Sequence, residues 1–247
     1  MMAGEGCALE AEGGDGQGAV IGVAITAVRA RMALAAARVG RDPASVRLVG
    51  VGKGHPVAAL RLALAAGLVD LGENRVQEAL PKVAALAGAR WHMIGQLQRN
   101  KAAAVVGRFA LVHSLDRPEL AESLARAAER AGTVQAVLLQ VGLTGRSGQG
   151  GVPAAEAATL LRRVLQLSAL RPEGLMTVGP PVRDPDDARP VFAALRALRD
   201  RLQDGAGVPL PELSMGMSGD FEAAIEEGAT LVRVGRAIFA AAAGAIP

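Results

Sequence analysis

Between residues 46 and 235, eight short apolar runs alternate with longer stretches of Ala, Leu and Arg. The runs are "VRLVGVG" (46–52), "LVDLG" (68–72), "RWHMIG" (90–95), "ALVHSL" (110–115), "VQAVLLQVGL" (134–143), "EGLMTVG" (173–179), "PELSMG" (211–216) and "TLVRVG" (230–235). No other feature constrains the fold as much. Strands separated by a helix's length of chain are joined by crossovers and lie parallel. Parallel strands are covered on both faces, so their runs are continuously apolar. The intervening pattern predicts helices near 56–66, 74–87, 96–106, 117–131, 153–169, 185–204 and 219–227. One more precedes the first strand, over 20–39, with Ile21, Ile25, Val28 and Met32 at helical spacing, and one follows the last, over 236–244. Eight strand–helix units are the count of a (β/α)₈ barrel. The alternative is an open doubly wound sheet. Its dinucleotide-binding form is disfavoured because no G-x-G-x-x-G opens a helix after the first strand. No linker divides the chain. The expectation is one α/β barrel domain over 19–247, behind a disordered, glycine-rich acidic tail over 1–18.

Composition excludes other classes. The 247 residues are 51% hydrophobic, ample for a core. One cysteine, Cys7, permits no internal disulfide and favours a reducing, cytoplasmic setting. No long apolar run is free of charges, and the N-terminus lacks the basic and apolar regions of a signal peptide, so no membrane role is expected. The pI is near 9.7, but with 2% aromatic residues there is no basic stripe interleaved with aromatics, which argues against nucleic acid. The three histidines, His55, His92 and His113, have no metal-ligand spacing.

Barrels of this kind bind ligands at the C-terminal ends of their strands. The first run ends at Lys53, between two glycines. The second leads to Glu73 and Asn74, the third holds His92, and the fourth leads to Asp116. The last two end in "SMGMSGD" and "RVGRAIF", which place Ser218, Gly235 and Arg236 at helix starts. Unpaired N–H groups and the positive dipole end at such starts suit a phosphate. A phosphate there and an uncrowded lysine on the first strand suggest a phosphorylated carbonyl compound held as a Schiff base. Plainer readings stand beside this one. Lys53 could be a salt-bridge partner, His92 a bonded core histidine, Ser218 an N-cap, and Gly235 a turn residue. Glu73 and Asp116 are acid/base candidates with no clearly paired second carboxylate.

The series "LVGVGKGHP", "LGENRVQEALPK", "WHMIGQLQRNK", "VHSLDR", "EGLMTVGPP" and "LSMGMSGDFEAAIEEGATLVRVGRAIF" resembles the YggS/PROSC family of pyridoxal 5′-phosphate (PLP) homeostasis proteins, from about residue 20 to 240. The resemblance implies the fold of the alanine racemase N-terminal domain and a non-catalytic PLP carrier that supplies or buffers the cofactor. It implies Lys53 as the Schiff-base lysine, Ser218, Gly235 and Arg236 as phosphate contacts, Arg233 as partner of the pyridine nitrogen, and Asn74 and His92 as pocket lining. It also points to apo PLP-dependent enzymes as partners and to a monomer. The chain departs from the family pattern at Gly52 (commonly serine), Arg75 (an aromatic), Gly142 (asparagine), Gln149 (lysine) and Arg236 (threonine). The competing functions are a PLP-dependent racemase or lyase with weak activity and a structural barrel whose site has decayed. The sequence has no tyrosine, the residue alanine racemases use as second base, which favours the carrier.

Overall fold

The computed structural model describes residues 6–146, 148–181 and 183–243. Helix α1 spans Gly6–Arg38. The main chain then alternates β1 (Arg47–Val51), α2 (Val57–Ala65), β2 (Asp70–Glu73), α3 (Val76–Ala85), β3 (Arg90–Met93), α4 (Ala102–Val105), β4 (Leu111–Leu115), α5 (Pro118–Arg130) and β5 (Gln135–Gly142). It continues through β6 (Val152–Pro153), α6 (Ala157–Leu165), β7 (Leu170–Met176), α7 (Arg189–Ala206), β8 (Glu212–Ser214), α8 (Phe221–Glu226), β9 (Leu231–Val234) and α9 (Arg236–Ala243). The strands pair in the order β4-β3-β2-β1-β9-β8-β7-β5, and β4 also pairs with β5, so eight parallel strands close into the expected barrel. The two-residue β6 adds only to the end of β5.

Two separate apolar regions follow from the strand period of two. Outward residues such as Leu48, Leu71, Val232 and Val234 join the helices in the larger core. Inward residues Val49, Leu111, Ala136, Leu138, Met176 and Leu231 form a small cluster inside the barrel. The rest of the interior is polar: Asp70, His92, His113, Ser214 and Arg233 are all buried there.

The structure differs from expectation in three places. Helix α1 begins at Gly6, so residues 6–18 are its first turns rather than a disordered tail; residues 1–5 lie outside the described residues. Extending a docked helix needs no new nucleus, and "CALEAE" is rich in helix formers. Its Gly16–Arg38 part is apolar and long enough to cross a membrane. Here it lies along α2, α8 and α9, burying Ile21, Ile25, Val28, Met32, Ala35 and Ala36. Arg31 and Arg38 tie it to α8 through Glu222 and Glu226, each at 2.6 Å. The helix expected over 96–106 shrinks to a 3₁₀ turn (Arg99–Lys101) and the short α4, because Gln98 is extended. β7 starts three residues early and carries Pro172 through a register shift against β5. Gly174 (φ 155°) completes that irregularity: a Cβ there would lie 1.8 Å from the Glu212 carbonyl oxygen.

Candidate functional site

β1 leaves the sheet at Gly52, whose N–H donates to Gly72 O at 2.9 Å. The chain then turns at once, His55 N–H donating to Gly52 O at 3.0 Å. Gly54, third in the turn, has φ +77°, the type II position that penalises any side chain. Lys53 is therefore held second in a tight turn at the barrel mouth. Its side chain is exposed and makes no hydrogen bond or ion pair among the described residues. That removes the salt-bridge reading of Lys53.

The turn is braced from behind. Lys82 of α3 donates to Gly52 O at 2.9 Å and to Glu73 Oε1 at 2.7 Å, both side chains being buried. Glu73 Oε2 has no partner among the described residues. Burial raises the Glu73 pKa, against the Lys82 bond that lowers it. Glu73 thus serves the turn from the helix layer. Asp116 is occupied too, paired with Arg117.

Gly52 is matched to this brace. A Cβ there would lie 2.7 Å from Glu73 Oε1 and 3.0 Å from a Leu60 methyl. A serine side chain here would have to displace the buried carboxylate that Lys82 holds. Gly52→Ser is expected to cost about 1–3 kcal/mol, the range for overpacking, in a urea unfolding series. An unchanged unfolding midpoint would remove this account of the glycine.

The neighbouring strands bring up the other expected residues. β1 pairs with β9, Gly50 opposite Val234. At Gly235, a Cβ would lie 3.2 Å from Val51 Cβ and 3.3 Å from Val51 O, so glycine lets the two strand ends touch. Arg236, exposed, opens α9. Ser218 is not the cap of α8, which starts at Phe221 with Asp220 in the N-cap position. Asp220 Oδ1 instead accepts from Met217 N–H at 2.6 Å, closing the loop on itself. That leaves Ser218 Oγ facing the start of α9, where it accepts from Ala237 N–H at 3.4 Å. Asn74 follows β2, next to β1, half-buried against Gly95, where a Cβ would strike Asn74 O at 2.2 Å. Lys53, Asn74, Ser218, Gly235 and Arg236 thus share the mouth of four adjacent strands, β2, β1, β9 and β8.

Arg233 lies just below, 5% exposed. It donates to Ser214 Oγ at 2.6 Å and to Thr177 O at 2.9 Å. Burial lowers its pKa to about 10, with the charge of Asp220 opposing. His92 departs from its expected place. It is 1% exposed, and both ring nitrogens are engaged within the protein: Nε2 is 2.7 Å from Asp70 Oδ1 and Nδ1 is 2.9 Å from His113 Nε2. It stands behind the mouth, as the core reading allowed. On the neighbouring β2, Gly72 pairs opposite it.

The departures resolve individually. Arg75 points to solvent and pairs with Glu78 at 3.0 Å, so position 75 gives the mouth no ring contact. Gly142 is exposed. Gln149 is tied into its own loop, its Oε1 accepting from Thr144 and its carbonyl from Gln140. No metal-binding cluster occurs among the described residues.

The sequence reading missed Lys82, Asp70, Ser214 and Thr177. A signal for two of them existed: Asp70 and Ser214, like His92 and His113, each interrupt an otherwise apolar strand, and buried polar groups need partners.

Residues 23–243 match the family model described as alanine racemase, N-terminal domain. Pyridoxal phosphate homeostasis proteins of Aquifex aeolicus and Pseudomonas aeruginosa are 43% and 44% identical to the chain, over 87% and 88% of its length and 95% and 94% of theirs. The structure of PipY from Synechococcus elongatus with PLP bound superposes with a TM-score of 0.79 at 38% identity, covering 89% of this chain and 99% of that one. D-threonine aldolase from Filomicrobium marinum, at 22% identity and TM-score 0.72, shares the fold alone.

Proposed function

The chain belongs to the alanine racemase N-terminal domain family and, within it, to the pyridoxal phosphate homeostasis proteins, and from that membership we propose that it is a non-catalytic PLP carrier with its site at the mouth of β2, β1, β9 and β8. The observation that carries this reading is Lys53: an exposed, unpaired amine on a glycine turn, beside strand ends that open α9.

The residues fit the group. Lys53 would hold the aldehyde carbon through its amine. At the start of α9 the N–H groups of Ile238 and Phe239 donate to Gly235 O at 2.9 and 3.0 Å, while that of Arg236 has no partner among the described residues and that of Ala237 makes only the long bond to Ser218 Oγ; with Ser218 Oγ and the Arg236 guanidinium these two suit a phosphate. Gly235 keeps that approach free of a side chain. Asn74 lines the β2 side, and Arg233 would donate to the ring nitrogen. When bound, PLP supplies an electrophilic carbonyl and an aromatic ring able to draw electrons. Arg233 works against the second property, because a guanidinium donor leaves the nitrogen unprotonated. The sequence also offers no tyrosine as an opposing base. The carrier is read as a monomeric cytoplasmic barrel, handing PLP to apo-enzymes.

The test is incubation of the PLP-loaded protein with L-alanine in deuterated water, in parallel with apo-forms of PLP enzymes. The expected result is recovery of activity by the apo-enzymes, with almost no α-proton exchange and no D-alanine. General acid–base help of the kind a tyrosine second base gives is typically worth about 10²–10⁴-fold. Racemisation at several turnovers per second, lost in Lys53→Ala, would overturn the carrier reading.

A further inference from the structure

Arg233 is a buried cation whose recorded partners are a hydroxyl and a carbonyl, both neutral. A buried charge is costly unless paired. Among the described residues no carboxylate pairs with this one; Asp220 acts on it only at a distance. The barrel interior supplies a compensating charge by another route. Ser214 Oγ, which accepts from Arg233, lies 2.8 Å from His113 Nδ1. His113 Nε2 lies 2.9 Å from His92 Nδ1, and His92 Nε2 lies 2.7 Å from Asp70 Oδ1. Asp70 also accepts from Arg90 Nε at 2.5 Å and Nη2 at 2.8 Å. The series runs from the start of β2 through β3, β4 and β8 to β9.

Only one arrangement of protons gives every member a partner. The Asp70 carboxylate can only accept, so His92 Nε2 carries a proton. With neutral rings, His92 Nδ1 accepts from His113 Nε2–H, and His113 Nδ1 accepts from the Ser214 hydroxyl. Ser214 Oγ is then left to accept from Arg233, and every link points the same way. A charged His92 would instead donate to His113 and turn that ring around. Ser214 Oγ would then accept from both His113 Nδ1–H and Arg233, and its own proton would have no partner among the described residues. Burial, reinforced by the charges of Arg233 and Arg47, also disfavours a charged His113.

We propose that Ser214, His113 and His92 are positioning residues for Arg233, forming a one-way hydrogen-bond relay that joins its guanidinium to the Asp70 carboxylate across the barrel interior. The relay acts as an extended ion pair: its aligned dipoles present their negative ends to Arg233, which fixes the guanidinium in place as a donor to a ligand above it. This deepens the carrier reading and rests on Arg233 facing the ring nitrogen of PLP. It makes the site specific for a ring with a hydrogen-bond acceptor at that position.

Long-range ¹H–¹⁵N NMR of the cofactor-free protein tests the relay without any substitution. Both His92 and His113 are expected as neutral Nε2–H rings at neutral pH. An imidazolium or an Nδ1–H ring at either position would overturn the relay. Binding of PLP and of its 1-deaza analogue, which has C–H in place of the ring nitrogen, tests the ligand end. The wild type is expected to prefer PLP by about tenfold, the loss of one hydrogen bond to a charged group. Equal binding, with the NMR pattern as expected, would sink the Arg233–nitrogen reading and leave the relay standing. Ser214→Ala should weaken PLP about tenfold on the same scale, leave the deaza analogue unchanged, and be rescued by Ser214→Thr. Equal weakening of both ligands would reduce Ser214 to a packing role.

Discussion

Lys53→Ala is expected to abolish covalent capture of PLP. The visible absorbance of the lysine-bound cofactor should be absent, and borohydride should fix no label on the variant. In the wild type, borohydride should fix one label, at Lys53. The chain is well suited to this experiment because it has three lysines, Lys53, Lys82 and Lys101. Lys82 is the instructive control. Its amine lies behind the turn, bonded to Gly52 O and Glu73, so attack on an aldehyde would require breaking a buried ion pair. Lys53 has no such tie. The residual phosphate contacts would still bind PLP, weakened by on the order of 10- to 100-fold for the lost covalent link, each factor of ten being about 1.4 kcal/mol. A label on Lys82 or Lys101 in the wild type would move the site elsewhere.

The position of Lys53 was legible in the sequence, but what holds it was not. Apolar runs reveal strands because burial selects residue type directly, and all eight barrel strands lie close to where the pattern puts them. "GKGHP" marks a turn because glycine punctuates strand ends. The Lys82–Glu73 brace left no such mark. Lys82 sits in a helix, where lysine ordinarily faces water, and its burial depends on how α3 packs against β1 and β2. For His92 the sequence leaves both readings, core histidine and pocket lining, open for a related reason. Its place on a strand is readable from sequence, and the period of two puts it inside the barrel. Its height within the barrel depends on strand stagger, and that decides whether it meets a ligand or Asp70. Ser218 shows a third limit. "SMGMSGD" offers Ser218 and Asp220 as possible caps two residues apart, and only the loop geometry, with Met217 N–H on Asp220, separates them.

Pyridoxal, lacking the phosphate, is expected to bind on the order of 100-fold more weakly than PLP. Each hydrogen bond to a charged group is worth about 1.5–3 kcal/mol, so losing two reaches that scale. Here the phosphate would meet Ser218 Oγ, the opening N–H groups of α9 and the Arg236 side chain. The Arg236 guanidinium would bring a full charge to the phosphate, and its effect should therefore weaken as salt is raised. Ser218→Ala separates the phosphate contact from the fold. Ser218 Oγ makes one long bond within the protein, to Ala237 N–H at 3.4 Å, so its loss should disturb stability little. The variant should lose PLP affinity by about 1–2 kcal/mol, near the lower end for a bond to a charged group, while pyridoxal affinity stays unchanged. Isothermal titration of both ligands against both proteins gives the four constants needed. If Ser218→Ala weakens pyridoxal as much as PLP, the serine shapes the loop and does not hold the phosphate. If the wild type binds the two ligands equally, the start of α9 is not the anion site.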